Sequence, residues 1–204
     1  MLPLYLASAS PRRRELLDAM GVAFGVRPAD ADESPAPGER PDDHVVRLAA
    51  AKAATVAQTL RREGIEAIVL GADTTVTLDG AILGKPAGAE DALAMLRRLA
   101  GRTHEVLTAC RLVRADDGRT AAALAVSRVT FAPWDERLAR WYVGTGEPMD
   151  KAGAYGIQGR GVLLAAGIEG SWSNVVGLPL ESLPRLFDEI GDDLLARMEA
   201  SPRG

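Results

Sequence analysis

The chain is short of cysteine, lysine, asparagine, histidine and aromatic residues, and each shortage narrows what it can be. A single cysteine among 204 residues, Cys110, excludes a disulfide framework and suits a reducing compartment. No apolar run approaches the roughly 18 residues that a membrane span requires. Positive charge is in the minority, with 24 Lys and Arg against 28 Asp and Glu. That balance argues against a basic face for RNA or DNA, although it leaves room for a local pocket that binds a small anion. The opening MLPLYLASASPRRR carries its charge after the apolar stretch, the reverse of a secretory signal. A cytoplasmic protein with no membrane attachment and no stable nucleic-acid binding is expected. A chain of this length buries about 70% of its unfolded surface, so one domain spanning 1–204 can stand without covalent staples.

The basic residues are unevenly divided. Only Lys52, Lys85 and Lys151 are lysines; arginine supplies the rest. Asn174 is the sole asparagine, and His44 and His104 are the only histidines. Compositional bias accounts for any one survivor, but a compact ammonium is not interchangeable with a planar guanidinium fork. The three lysines therefore serve as pointers to polar constellations.

Along the chain, Leu2 to Ala7 reads as a strand, and Ser10-Pro11 reads as an N-cap followed by proline in the first helical turn. That helix ends at Gly21, and Val22 to Val26 reads as a second strand. Pro28 to Arg40 is an exposed acidic loop, and a helix from Pro41 to about Arg62 carries apolar residues near the 3.6-residue period. Ala67 to Leu70 is a buried strand ending at Asp73, Asp79-Gly80 marks a tight hairpin, and Pro86 to Leu99 is a helix. Thr103 to Arg114 and Thr120 to Phe131 form a second hairpin, and a helix spans Pro133 to Val143. After a glycine-dense stretch come a strand at Val162 to Ala166, a loop from Gly170 to Gly177 and closing helices. Alternating elements combined with hairpins predict an α/β fold: a mixed twisted sheet with flanking helices, in two lobes around a central cleft.

Several segments could carry chemistry. Ser8, Ser10, Arg12 and Arg13 follow the first strand and open a helix, where unpaired N–H groups and arginines favour a phosphate. The same segment also reads as a capped helix with solvated arginines, and by itself does not separate the two. Asp73 follows the apolar run Ile68-Val69-Leu70, where a carboxylate is costly without a cation, a metal or water. It could bind Mg²⁺ or take a proton from an attacking water. Lys85, held extended by Pro86, could face the same site. Lys52 lies on a small, apolar helical stretch, where a solvated polar face would be the ordinary explanation. The stretch from Asp150 to Gly159 combines Lys151, Tyr155 and Gln158 with three glycines; Gln158 offers the donor and acceptor that a nucleobase edge requires, and Tyr155 reads as a packing anchor. Ser171, Ser173 and Asn174 make a second polar loop, in which Asn174 could be only a turn residue. Both histidines and Cys110 read as structural.

Taken together, LASASPRRRELL (6–17), RLAAAKA (47–53), GADTTV (71–76), GKP (84–86), DKAGAYGIQG (150–159) and SNVVGLPL (173–180) resemble the Maf family of nucleoside triphosphate pyrophosphatases. The ordered set spans nearly the whole chain. The resemblance implies a homodimeric enzyme, dependent on Mg²⁺ or Mn²⁺, that splits the α–β linkage of a nucleotide, with a fold related to inosine triphosphatases. By the matched motifs, Asp73 is the general base, Arg13, Lys52 and Lys85 hold phosphates, Ser8 or Ser10 lines the site, and Glu33 joins Asp73 as a metal-site candidate. Arg12, Thr74 and Gln158 match the branch acting on dTTP and UTP. The branch acting on 7-methyl-GTP usually places an aromatic, another polar or acidic residue, and glutamate there. Trp172 stands where tyrosine is commoner. The competing readings are a non-catalytic nucleotide-binding regulator of septum formation, a 7-methyl-GTP pyrophosphatase and an inosine-triphosphate-type housekeeping enzyme.

Overall fold

A computed structural model describes residues 1–200; the last four residues of the expected domain, 201–204, lie outside the described residues. Seven strands hydrogen-bond in the order β2-β1-β3-β5-β6-β7, with β4 beside β3. The strands are β1 (Leu4–Leu6), β2 (Gly25–Val26), β3 (Ile68–Leu78), β4 (Ala81–Leu83), β5 (Thr103–Arg114), β6 (Thr120–Phe131) and β7 (Ala165–Glu169). The sheet is mixed: β1 pairs in parallel with β2 and β3, whereas β3–β4 and β6–β7 are antiparallel. The α/β class expected from the alternation of elements is therefore observed.

The chain divides into two compact units, one comprising 1–73, 108–124 and the residues from 177 onward, the other 74–107 and 125–176. The first unit holds α1 (Pro11–Ala19), α2 (Pro41–Arg62), α6 (Leu183–Glu189) and α7 (Leu194–Ala200). Its α2 face of Ala53, Val56, Ala57 and Leu60 clusters with Val69 of β3 and with Ala7 and Ala67, which adjoin β1 and β3, the burial that the helical periodicity anticipates. The second unit holds α3 (Ala89–Leu99), α4 (Glu136–Gly144) and α5 (Trp172–Val176). Its core joins Leu96 and Leu99 of α3, Ala139 and Tyr142 of α4, and Val129 and Phe131 of β6.

Local chemistry sets the boundaries. Asp79 and Gly80 both adopt positive φ, 53° and 78°, and turn β3 into β4 with Leu78 opposite Ala81, as their sequence requires. The helix expected from Pro133 begins at Glu136, because the Asp135 carboxylate accepts the Leu138 N–H at 3.0 Å and makes Asp135 the cap. The helix expected from Pro86 begins at Ala89; Asp91 accepts the Ala87 N–H at 2.9 Å and folds the preceding residues into a turn. Only Gly25 and Val26 of the second expected strand pair with β1. The apolar run at 162–164 lies in a 3₁₀ turn spanning Gly159–Leu164, so β7 starts three residues later than its pattern suggests. The expected loop over 170–177 contains a five-residue helix.

One close approach positions the site. A Cβ at Gly71 would lie 2.4 Å from the Ala49 carbonyl oxygen and 2.7 Å from the Ala53 nitrogen, both on the α2 backbone. Only glycine lets helix and strand meet this closely. Gly71→Ala is therefore expected to lower unfolding free energy by about 1–3 kcal/mol, the usual cost of overpacking. Chemical denaturation checks this, and an unchanged midpoint would show that the contact relaxes freely.

Candidate functional site

The first unit gathers most of the expected site residues. Ser8 follows β1 and is buried, as is Arg13 on the first turns of α1. Ser10 occupies the N-cap position, but its side chain caps nothing; the Ser8 hydroxyl instead accepts the Ser10 N–H at 3.2 Å. That hydroxyl also accepts from Arg13 Nη1 at 2.9 Å, while Arg13 Nε donates to the Gly177 carbonyl at 2.8 Å. Burial draws the Arg13 guanidinium below its ordinary pKa, and Asp73 and Glu33 act in the opposite sense. Arg13 thus stands as a fixed, desolvated cation, while Arg12 beside it is half-buried.

Asp73 lies in the middle of β3 and not at its end, the strand running on to Leu78. Both Asp73 and Lys52 are 7% exposed. Lys52 Nζ donates to Asp73 Oδ1 at 2.7 Å and to Glu33 Oε1 at 2.5 Å. The solvated-helix explanation for Lys52 is excluded, since a buried ammonium with two carboxylate partners is a built constellation. Asp73 and Glu33 supply hard oxygen donors that suit Mg²⁺ or Mn²⁺. Among the described residues no group of three or more His, Cys, Asp or Glu is placed to hold an ion.

Glu33 reaches Lys52 from the exposed acidic loop, and a neighbouring cluster ties that loop down. Arg47 Nε and Nη2 meet the two Glu39 carboxylate oxygens at 2.6 and 2.8 Å, and Nη2 also donates to the Ser34 carbonyl at 3.1 Å. His44 Nδ1 lies 3.0 Å from Glu39 Oε2. The hydrogen bonds from Arg47 hold the Glu39 carboxyl well below the usual carboxylate range. Nothing in the sequence separates Glu39 from the other acids of its loop; only its spatial pairing does.

Thr74, Lys85 and Gln158 belong to the second unit. Thr74 continues β3, Lys85 follows β4 and is exposed, and Gln158 is half-buried among the glycines. Tyr155 is the packing anchor expected of it. It is buried, its hydroxyl lies 2.7 Å from His104 Nε2, and its ring meets His104 and Phe131 edge to face. Asn174 is structural: fully buried, its Nδ2 donates to the Val106 carbonyl and the Ser127 hydroxyl at 3.0 and 2.8 Å. Trp172 is half-exposed beside it. Cys110 is inert core, its thiol pushed up to about 12 by burial.

The sequence matches known proteins over most of its length. A family model described as Maf-like protein matches residues 3–190. The chain is 52% identical over 186 residues to a dTTP/UTP pyrophosphatase of Nitratidesulfovibrio vulgaris, covering 91% of this chain and 86% of that one. It is 48% identical over 198 residues to a dTTP/UTP pyrophosphatase of Aromatoleum aromaticum, covering 92% and 95%. A solved nucleoside-triphosphatase / dITP/XTP pyrophosphatase of Mycobacterium abscessus aligns at 15% identity with a TM-score of 0.38, over 65% of this chain and 76% of that one.

The His104–Tyr155 pair predicts a pH dependence. Burial pushes the His104 imidazole down to about 4 from an ordinary 6.5. Between those values the unfolded chain binds a proton that the folded chain refuses, so this contribution to stability is full above pH 6.5 and is lost as pH falls towards 4. The loss is about 3 kcal/mol. Urea unfolding at pH 7 and pH 4 should show it, and His104→Leu should lack that part of the difference. An equal pH dependence in the two proteins would refute the assignment.

Proposed function

The chain belongs to the Maf family, and on that premise we propose that it is a nucleoside triphosphate pyrophosphatase acting on dTTP and UTP. The reading extends to modified pyrimidine nucleotides and to a role in nucleotide-pool cleaning. The observation that carries it is the Lys52 ammonium held between Asp73 and Glu33 beside the buried Arg13. Relatives at about half identity named dTTP/UTP pyrophosphatase support the substrate class.

In this reading both units form one functional domain. Arg13 and Lys52, with Lys85, bind and orient the phosphates, and Ser8 and Ser10 line the same pocket. Such fixed cations stabilise the charge that develops on the transferring phosphoryl oxygens. Asp73 accepts the proton of the attacking water as its oxygen bonds to phosphorus. The bridging α–β bond breaks, and pyrophosphate leaves with the electron pair. Asp73 and Glu33 would hold Mg²⁺ or Mn²⁺, which when bound supplies positive charge against the phosphate oxygens. Arg12, Thr74 and Gln158 select the base. A methylated guanine is cationic, and Gln158 offers no charge to complement it.

The reading places the enzyme in the cytoplasm as a homodimer. Among the described residues no helix is long and apolar enough to cross a membrane, and sedimentation velocity measures the oligomeric state.

Pyrophosphate release with Mg²⁺ across dTTP, UTP, CTP, GTP, ITP and 7-methyl-GTP tests the substrate. Preferential turnover of dTTP and UTP is expected; equal or better turnover of 7-methyl-GTP or ITP would overturn it. Asp73→Asn should lower kcat by about 10²–10⁴, the range for losing a general base, with the circular-dichroism spectrum unchanged. Retained turnover would refute the base.

A further inference from the structure

Three backbone donors flanking Gln158, those of Gly156, Arg160 and Gly161, converge on two side chains that precede them in the chain. Glu147 Oε2 accepts the Arg160 N–H at 3.2 Å, and Oε1 accepts the Gly161 N–H at 3.3 Å. The buried Tyr142 hydroxyl donates to Glu147 Oε1 at 3.1 Å and accepts the Gly156 N–H at 3.1 Å. The peptide is thereby fastened two residues before Gln158 and at the second and third residues after it.

The chemistry of the acceptor fits this task. An ionised carboxylate is acceptor-only, and here it faces three donors. An amide in its place would turn an NH₂ group towards at least one N–H. The loop also crosses itself tightly: a Cβ at Gly161 would lie 2.2 Å from the Gly156 carbonyl oxygen and 2.7 Å from the Tyr142 hydroxyl. The two ends of the Gln158 loop therefore meet at the Tyr142–Glu147 pair. Lys151 closes the base of the segment, donating to the Glu147 carbonyl at 2.5 Å and to Asp150 Oδ1 at 2.7 Å. Its stem lies over Gly156, where a Cβ would approach Lys151 Cε to 2.7 Å.

We propose that Glu147, assisted by Tyr142, is a positioning residue for nucleotide selection: it fixes the backbone on both sides of Gln158 and so sets where that amide meets the base. The inference rests on the reading of Gln158 as a base-selecting residue. Glu147 itself touches no substrate in this scheme; it acts through Gln158 alone. Small displacements of a hydrogen-bonding group degrade discrimination steeply, because a polar edge left unpaired in the site loses its desolvation compensation.

Steady-state kinetics on dTTP, UTP and GTP test the inference, with wild type, Glu147→Gln, Gln158→Ala, the double variant and Tyr142→Phe compared alongside thermal unfolding. Glu147→Gln is expected to raise KM for dTTP and UTP and to shrink the dTTP-over-GTP ratio of kcat/KM by about tenfold, with kcat within about twofold of wild type. Gln158→Ala should shrink the same ratio. If Glu147 acts through Gln158, the double variant shows no further loss of preference beyond Gln158→Ala, the non-additivity expected of coupled residues. Tyr142→Phe keeps the ring and removes only the hydroxyl, and it should shift the ratio in the same direction. It carries the test if Glu147→Gln does not fold. A preference altered in Gln158→Ala but intact in both Glu147→Gln and Tyr142→Phe, or additive losses in the double variant, would overturn the positioning role and leave the Gln158 reading standing. An unaltered preference in Gln158→Ala would overturn that reading, and the positioning role with it.

Discussion

The backbone contact between α2 and β3 at Gly71 is the constraint on which the candidate site depends. Ala49 and Ala53, the α2 residues that a Cβ there would strike, bracket Lys52 in the chain. Side chains two residues apart on a strand share a face, so Asp73 emerges on the same side of β3 as Gly71. The helical turn pressed most closely onto the strand is thus the turn that carries the lysine, and the carboxylate rises beside it. The absence of a side chain at Gly71 brings the ammonium and carboxylate within 2.7 Å, although both are nearly buried. Either charge alone would be costly there; as a pair each compensates the other.

The second carboxylate on Lys52 has a different character. The Glu33 side chain is half-exposed and belongs to an irregular segment, so its ion pair is the weaker of the two in solvent. That segment is held by Glu39, which gathers Arg47 and His44 from the beginning of the same helix. One helix therefore supplies both the central cation and the tether for the residue that approaches it from outside. On the proposed reading, a buried, rigid partner beside an exposed, tethered one suits a cation that would exchange carboxylate contacts for phosphate oxygens without losing its place.

Much of this was legible in the sequence, and what was not has a common cause. The limits of α2, β5 and β6 and the Asp79-Gly80 turn follow from period, proline and turn chemistry, all local signals. Of the site, the motif blocks pick out Ser8, Arg13, Lys52 and Asp73, and the structure brings these together in one unit. Three features escaped: the continuation of β3 through Asp73, the turn that takes the apolar run at 162–164, and the roles of Glu39 and Glu147. Each is decided by a partner outside its own stretch of chain. Asp73 is tolerated inside a strand because Lys52, 21 positions away, compensates it. The run at 162–164 departs from strand geometry where Glu147, 14 positions before Gly161, captures the peptide leading into it. A glutamate in a glycine- and proline-containing stretch looks the same in sequence whether it points to water or receives three hydrogen bonds.

The scarcity of lysine also acquires a physical meaning. Arg13 donates along two directions at once, to a hydroxyl through Nη1 and to a carbonyl through Nε, which suits a planar fork in a fixed setting. Lys52 instead shares one compact charge between two carboxylates that approach from different parts of the chain. A guanidinium there would impose its plane on both partners and occupy more of a helix–strand junction already closed to a single methyl group. Lys151 meets a similar demand, with one ammonium serving a carbonyl and a carboxylate while its flexible stem covers a glycine. In a chain that carries most of its positive charge on arginine, lysine persists at these two places where the donor must be small and its direction adjustable.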